Sequence, residues 1–235
     1  AIGNSEFSNA TGLTTIAVSG ATIDATTLAA RIDSYDTING GATTGMTLAS
    51  GATINVDADE VDHMLADETA NRLTISDQLI TVTNAITVDQ ANLLGATTTG
   101  KLTATIATTE TVTELATLSA DGGTNDLTVV IRGADATAAT AAQLNTINAA
   151  TAVAVDLTNV TALAASSLSD LGTLATAIGN NEFQNDDGLT TIAVSDATID
   201  ASALASAIDS IDEINGESTT GMTLASGATI NVDAD

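Results

Sequence analysis

The sequence predicts an α/β solenoid, a stack of coils built from short strands plus one short helix each, with an all-β right-handed parallel β-helix as the alternative. Three observations lead there. Residues 1–59 recur at 177–235 at a constant offset of 176, with 46 of 59 positions identical and no gap. A weaker unit repeats inside that period, and such a unit can bury its apolar face only against its neighbours. Finally, the 235 residues include 44 Ala and 43 Thr, no Pro, Cys or Trp, and only Phe7, Tyr35 and Phe183 as aromatics. Small aliphatic contacts must therefore carry the core, and a narrow stacked cross-section accepts them.

The helices are read from caps and spacing. Ile23-Asp24 with Leu28, Val56-Asp57 with Val61, Val88-Asp89 with Leu93, and Ile199-Asp200 with Leu204 each place an apolar residue, a capping Asp and an aliphatic in the same order. An Asp accepts the free N–H groups of a first helical turn and suits its positive end. Leu28, Ile32 and Tyr35, and Val61 with Leu65, then follow one helical face. Weaker versions lie at Thr108 with Val112 and Leu115, at Thr140 with Leu144 and Ile147, and around Leu168 with Leu171.

Before each helix the period changes from 3.6 to 2. Ile16/Val18, Met46/Leu48, Ile54/Val56, Ile80/Val82, Ile86/Val88, Leu127/Val129/Ile131 and Val153/Val155/Leu157 alternate with small or polar residues, the pattern of half-buried strands. Glycines such as Gly40-Gly41, Gly51, Gly122-Gly123, Gly133 and Gly227 fall in the intervening turns. Each unit reads strand, turn, strand, helix. Six of them in 176 residues average about 29 residues each. Residues 1–176 are then one complete long period of about six coils, and 177–235 begin the next, truncated one, within one continuous solenoid domain. Asp235 matches Asp59 in the middle of VDADEVDHML, so the chain reads as an excerpt of a longer array.

Thirty acidic against four basic residues give a net charge of −26, which repels a phosphate backbone and argues against nucleic acid as a partner. No apolar run approaches the ~18 residues of a membrane helix, so membrane insertion is not expected. A hydrophobic fraction of 44% nonetheless separates the chain from a disordered acidic tail.

Candidate sites are few. His63 is the only histidine and, without cysteines, supports no zinc set; it reads as a surface histidine beside a carboxylate. The acidic runs Asp57, Asp59, Glu60, Asp62 and Asp186-Asp187-Gly188 invite Ca²⁺, which prefers carboxylate oxygens. Neither fits an EF-hand frame or a calcium-binding nonapeptide array, and Asp186 and Asp187 are Ala10 and Thr11 in the other period. They read as caps and a solvated face. Thr81/Thr83, Thr103/Thr105 and Thr109/Thr111/Thr113 suggest an ice-binding ladder, but their positions differ between units. No nucleophile elbow, phosphate loop or defined carboxylate pair is present, so no catalytic, cofactor-binding or metal residue is named and no enzyme is expected. A β-helical polysaccharide lyase would need clustered basic residues, whereas Arg31, Arg72, Lys101 and Arg132 are scattered.

The long period, the Ala/Thr/Asp richness and units such as ATIDATTLAARID and ITVDQANLLGATTTG resemble the repeat regions of giant bacterial cell-surface proteins. They are most like those of marine cyanobacteria, one of which is required for swimming without flagella. The resemblance implies an extracellular, cell-surface location and a structural spacer or coat role, with motility as a further implication. The partners expected are neighbouring repeats end to end and divalent cations held diffusely. The alternative is an adhesin segment that binds a glycan, a partner surface or ice.

Overall fold

A computed structural model describes residues 15–38, 45–119, 125–214 and 221–232. The chain is mixed α/β, with seven α-helices among the described residues and strands that pair in parallel. Those helices decide for the mixed class over the all-β alternative. Two parts, Ala1–Thr105 and Ile106–Asp235, are described in turn.

In the first part β1 (Thr15–Val18), β2 (Thr22–Asp24) and α1 (Ala25–Ile38) are followed by β3 (Gly45–Leu48), β4 (Thr53–Asp57) and α2 (Val61–Thr69). Then come β5 (Leu73–Thr74), β6 (Leu79–Ile86), α3 (Val88–Thr97) and β7 (Leu102–Ile106). Strands pair with their counterparts in the next repeat unit. One sheet runs β1-β3-β5, and a second places β2, β4, β6 and β7 side by side. Register follows the aliphatic pattern, because parallel strands with period-two side chains keep one face buried only in the right phase. Ile16 pairs with Met46 and Met46 with Leu73; Ile23 pairs with Ile54 and Ile54 with Ile80. These make two inward columns, while α1 packs on α2 and α2 on α3.

The second part contains α4 (Val112–Leu115), β8 (Asp126–Thr128), α5 (Ala141–Ala149), β9 (Val155–Asp156), β10 (Ala162–Ser166) and α6 (Leu168–Gly179). It continues with β11 (Phe183–Gln184), β12 (Thr191–Val194), β13 (Thr198–Asp200), α7 (Ala201–Ile214), β14 (Gly221–Thr223) and β15 (Thr229–Asn231). Here β10-β12-β14, β9-β11 and β13-β15 pair in parallel, and α4 to α7 pack consecutively. Helix α7 begins 201 − 25 = 176 residues after α1, with six helix-to-helix intervals between them. Their mean is about 29 residues, the spacing expected of one supersecondary element per repeat.

Several caps differ in detail from the expectation. Asp24 and Asp200 do cap α1 and α7, accepting from the Thr27 N–H at 2.8 Å and from the Ser202 and Ala203 N–H groups. Asp57 instead caps a short 3-10 turn, Ala58–Glu60, that leads into α2. Asp89 lies inside α3, which starts at Val88 rather than ending a strand there. Thr87 is the cap, in a reciprocal box with Gln90 that satisfies two orphan N–H groups at once. The buried stripe of α3 is therefore Val88, Ala91 and Leu94, and Leu93 is exposed. Likewise α4 is capped by Thr111 with Glu114 rather than by Thr108, and α2 buries Met64 while Leu65 is half-buried. The turn glycines Gly40-Gly41 and Gly122-Gly123 lie outside the described residues, whereas Gly51 and Gly227 occupy equivalent turns with positive φ.

One glycine is needed for space, not for φ. A Cβ on Gly100 would come within 2.3 Å of the Gln78 carbonyl oxygen and 2.8 Å of that of Asp77. Thr98 seals the same contact by donating its hydroxyl to the Gln78 carbonyl at 2.6 Å.

Two comparisons test the packing by thermal or chemical denaturation. Ile54→Ala empties the centre of an inward column and should cost about 2–5 kcal/mol. Ile230→Ala, the same residue of the other repeat, is 44% exposed against 0% for Ile54, and should stay within about 0.5 kcal/mol. Gly100→Ala should cost about 1–3 kcal/mol through overpacking.

Candidate functional site

Several of the chemistry-bearing side chains hydrogen-bond to residues of the next repeat unit. In the first part Asp57 accepts from the Asp59 N–H, from Thr83 Oγ1 at 3.1 Å and from Asn84 Nδ2 at 2.7 Å. In the second part Asp156 accepts from the Thr158 N–H and hydroxyl and from Asn185 Nδ2 at 3.0 Å. Both asparagines are left-handed, with φ of 67° and 57°, a conformation that asparagine tolerates better than most residues. The same device thus ties an Asp of one unit to an Asn 27 or 29 residues on. Burial raises the Asp156 carboxyl pKa, but the hydrogen bonds from Thr158 and Asn185 outweigh it and the net shift is downward.

Helix starts are joined in a similar way. The first N–H of α4 donates to Asp135 Oδ2 at 2.9 Å, that of α5 to Ser166 Oγ at 2.9 Å, and that of α6 to Asp196 Oδ2 at 2.8 Å. Each acceptor comes from 23 to 28 residues later. Asp135 is buried and also accepts from Arg132 Nε at 2.7 Å, while Arg132 Nη1 donates to the Thr109 carbonyl. For Asp135 too, burial pushes the carboxyl up, and Arg132, the Val112 N–H and the guanidinium charge together hold it below the ordinary 3.8.

Several members of the acidic runs have such partners. Asp57 is engaged as above, Glu60 lies 3.6 Å from the exposed His63 ring, and Asp62 accepts from Gln90. Asp186 and Asp187 stand on a 3-10 turn, Asp186–Gly188. Among the described residues no group of three or more His, Asp or Glu side chains is gathered closely enough to hold a metal ion. Toward β4 the threonine pairs do not continue, Thr81 facing Asn55 and Thr83 facing Asp57. On the other side the Ile80 N–H bonds the Lys101 carbonyl, a register that sets Thr81 and Thr83 beside Thr103 and Thr105 of β7; Thr111 is a cap and Thr113 lies in α4. The cations are dispersed, Arg72 on the buried Asp67 and near Asp33, and Arg132 on Asp135. The Thr-x-x-Gln/Glu pattern of a capping box stands in the sequence at Thr87, Thr111 and Thr140, a signal that the Asp-cap reading passed over. Asn84 and Asn185, and the tie of Asp135 to the Val112 N–H, carry no such mark, because those partners are more than twenty residues away.

The largest consequence of the duplication is in burial. Ile192 and Val194 of β12, which pairs with β10, are buried, whereas their equivalents Ile16 and Val18 are half-buried. These two line a groove of about 510 Å³ with Ile23, Leu28, Arg31 and Tyr35. At the other face the order reverses. Ile32, Leu48 and Val56 are 2%, 5% and 1% exposed, and their equivalents Ile208, Leu224 and Val232 are 42%, 36% and 74%. Identical or near-identical segments thus expose opposite faces, one leading and one trailing.

The chain matches no protein-family model, no curated protein and no solved structure.

Asp135 gives a pH prediction. Its folded pKa is depressed, so its stabilising contribution is complete above the ordinary value of 3.8 and is lost as pH falls through the lower folded value. Asp135→Asn should cost about 1–3 kcal/mol at neutral pH. The difference in melting temperature between wild type and variant should be flat from pH 7 to about 5 and close below about 4.

Proposed function

We propose that the chain is a structural repeat segment of a giant extracellular cell-surface protein, a solenoid that acts as an elongated spacer or coat module. The observation that carries this reading is that, within each part, strands one repeat unit apart pair in parallel, while helices recur at a mean of about 29 residues. An element that buries its apolar face on a copy of itself can be extended by adding copies, and that is the requirement of a spacer. The conserved 176-residue offset between α1 and α7 supports the same view, since it returns the chain to an equivalent local structure.

The charge fits an array exposed to salty surroundings. Twenty-six net negative charges on 235 residues keep a long, moderately apolar protein soluble and self-repelling. Divalent cations then act as a diffuse atmosphere rather than as ligands of one site. The resemblance to the repeat regions of giant surface proteins adds the location and a link to motility.

Two measurements test the reading. Antibodies raised against the chain should label intact, unpermeabilised source cells, and external protease should remove the label; labelling only after lysis overturns the surface assignment. Melting temperature should rise with NaCl as the Debye length shrinks from about 10 Å at 0.1 M to about 3 Å at 1 M, and millimolar MgCl₂ and CaCl₂ should act alike. A saturable increase with CaCl₂ alone would replace the diffuse atmosphere by a specific site.

A further inference from the structure

Among the described residues before α7, Leu93 is the only large aliphatic that stands exposed, at 55%. Stacking of the units does not require it. The sixth position from the start of each helix is exposed throughout, and in the other six it is Ala30, Ala66, Thr117, Thr146, Thr173 and Ser206. At the fifth position Leu65, half-buried, likewise stands where the other helices have Ala, Asn or Gly. The two leucines come from helices that pack on each other, α2 and α3, and both line a groove of about 500 Å³ together with Ala66, Ala96, Asp62 and Glu68. A singly exposed leucine is ordinary. Two on adjoining helices, with alanines beside them, make a patch of the kind that marks an interaction surface.

We propose that this groove takes an amphipathic helix of a partner protein whose polar face is cationic, with aliphatic side chains against Leu65 and Leu93 and Lys or Arg beside Asp62 and Glu68. Every residue that lines the groove belongs to α2 or α3, so no strand edge is offered and an added strand has nothing to pair with. Large residues beside small ones on a helix pair are what a third helix packs into, ridges into grooves, and anchors at i, i+3, i+4 and i+7 are how a helix occupies such a surface.

Charge selects the partner. The lining of the groove includes two carboxylates and no cation, and Asp62 is held in place by accepting from Gln90 Nε2 at 3.1 Å. A second copy docked groove to groove would set these acids against their own counterparts, in chains of charge −26 each. An acidic peptide or an anionic lipid surface meets the same repulsion. A cationic helix gains at the acids as well as at the leucines. The inference goes beyond the spacer reading, since a spacer has no use for a groove unlike its neighbours, and it does not depend on where the protein resides.

Fluorescence anisotropy of the whole chain with a labelled helical peptide of Leu and Lys, its Leu at i, i+3, i+4 and i+7, tests this at about 0.15 M NaCl, where distant charges are screened. Two companion peptides, one with Ala for Leu and one with Glu for Lys, separate the apolar part from the ionic part. The Leu-Lys peptide should bind saturably. Leu93→Thr, and separately the double variant Asp62→Lys with Glu68→Lys, should weaken it about tenfold or more, while Thr146→Ala on α5 should leave it unchanged. Leu93→Thr gives α3 the residue its neighbours carry at an exposed position, so circular dichroism and melting temperature should match wild type. The Ala-Lys peptide should bind weakly and alike to wild type and Leu93→Thr, and the Leu-Glu peptide should not bind. A Leu-Lys peptide that fails to bind, or binds Leu93→Thr as tightly as wild type, overturns the groove. Equal binding of the Leu-Glu peptide overturns the cationic partner. A dimer seen by sedimentation velocity without peptide and abolished by Leu93→Thr gives the groove to a second copy and overturns the proposal.

Discussion

The pairing of an inward aliphatic residue with the same kind of residue one repeat unit away is the interaction on which the rest depends. Ile23, Ile54 and Ile80 follow one another across three parallel strands, and Ile16, Met46 and Leu73 do the same in the neighbouring sheet. A β-branched or linear aliphatic fills the space between two backbones without an aromatic ring. This is why a chain with three aromatics can still bury residues such as Ile54, Ile80 and Leu102 completely. The helices add their own buried residues to the core, Leu28 and Ile32 from α1 and Val61 and Met64 from α2.

Polar groups at the corners solve a second problem, the crowding of acids. Carboxylates that would repel one another are instead given local donors: a Thr or Ser hydroxyl, a backbone N–H, or an Asn from the following unit. Several have pKa values lowered by these bonds, Asp24 through Thr27 and Glu114 through Thr111. The acidic side chains thereby become part of the register. Asp57 meets Asn84 only when β4 and β6 are in phase, and Asp135 ties the start of α4 to a residue 23 positions on.

The duplicated segment separates intrinsic from contextual properties of the sequence. Residues around Ile54 and Ile230 share the stretch TTGMTLASGATINVDAD, yet one isoleucine is fully buried and the other is not. Over their described residues both copies run strand-turn-strand with glycine at positive φ in the turn, β14 and β15 being shorter than β3 and β4. Burial differs because it belongs to the neighbour and not to the segment. A covered edge and an open one are thus the same sequence in two settings.

Sequence alone determined the period, the alternation of short strands with capped helices, and the glycine turns at Gly51 and Gly227, because these follow from local backbone preference and side-chain spacing. It also determined that the chain would be acidic and small-residue rich. The Asp89 and Leu93 assignments in α3 show the limit of that reading: two adjacent capping frames were open, and Thr87 prevailed because Gln90 completes its box and Leu94, not Leu93, then faces the core. Only the tertiary structure decided that Asp57 and Asp156 are held by distant asparagines, that Gly100 is required by the Gln78 carbonyl, and which faces of the duplicated segment lie bare. The physical reason is common to all three. Each depends on a contact between residues more than twenty positions apart, and the spacing of a linear pattern encodes the faces of an element but not what is laid against them.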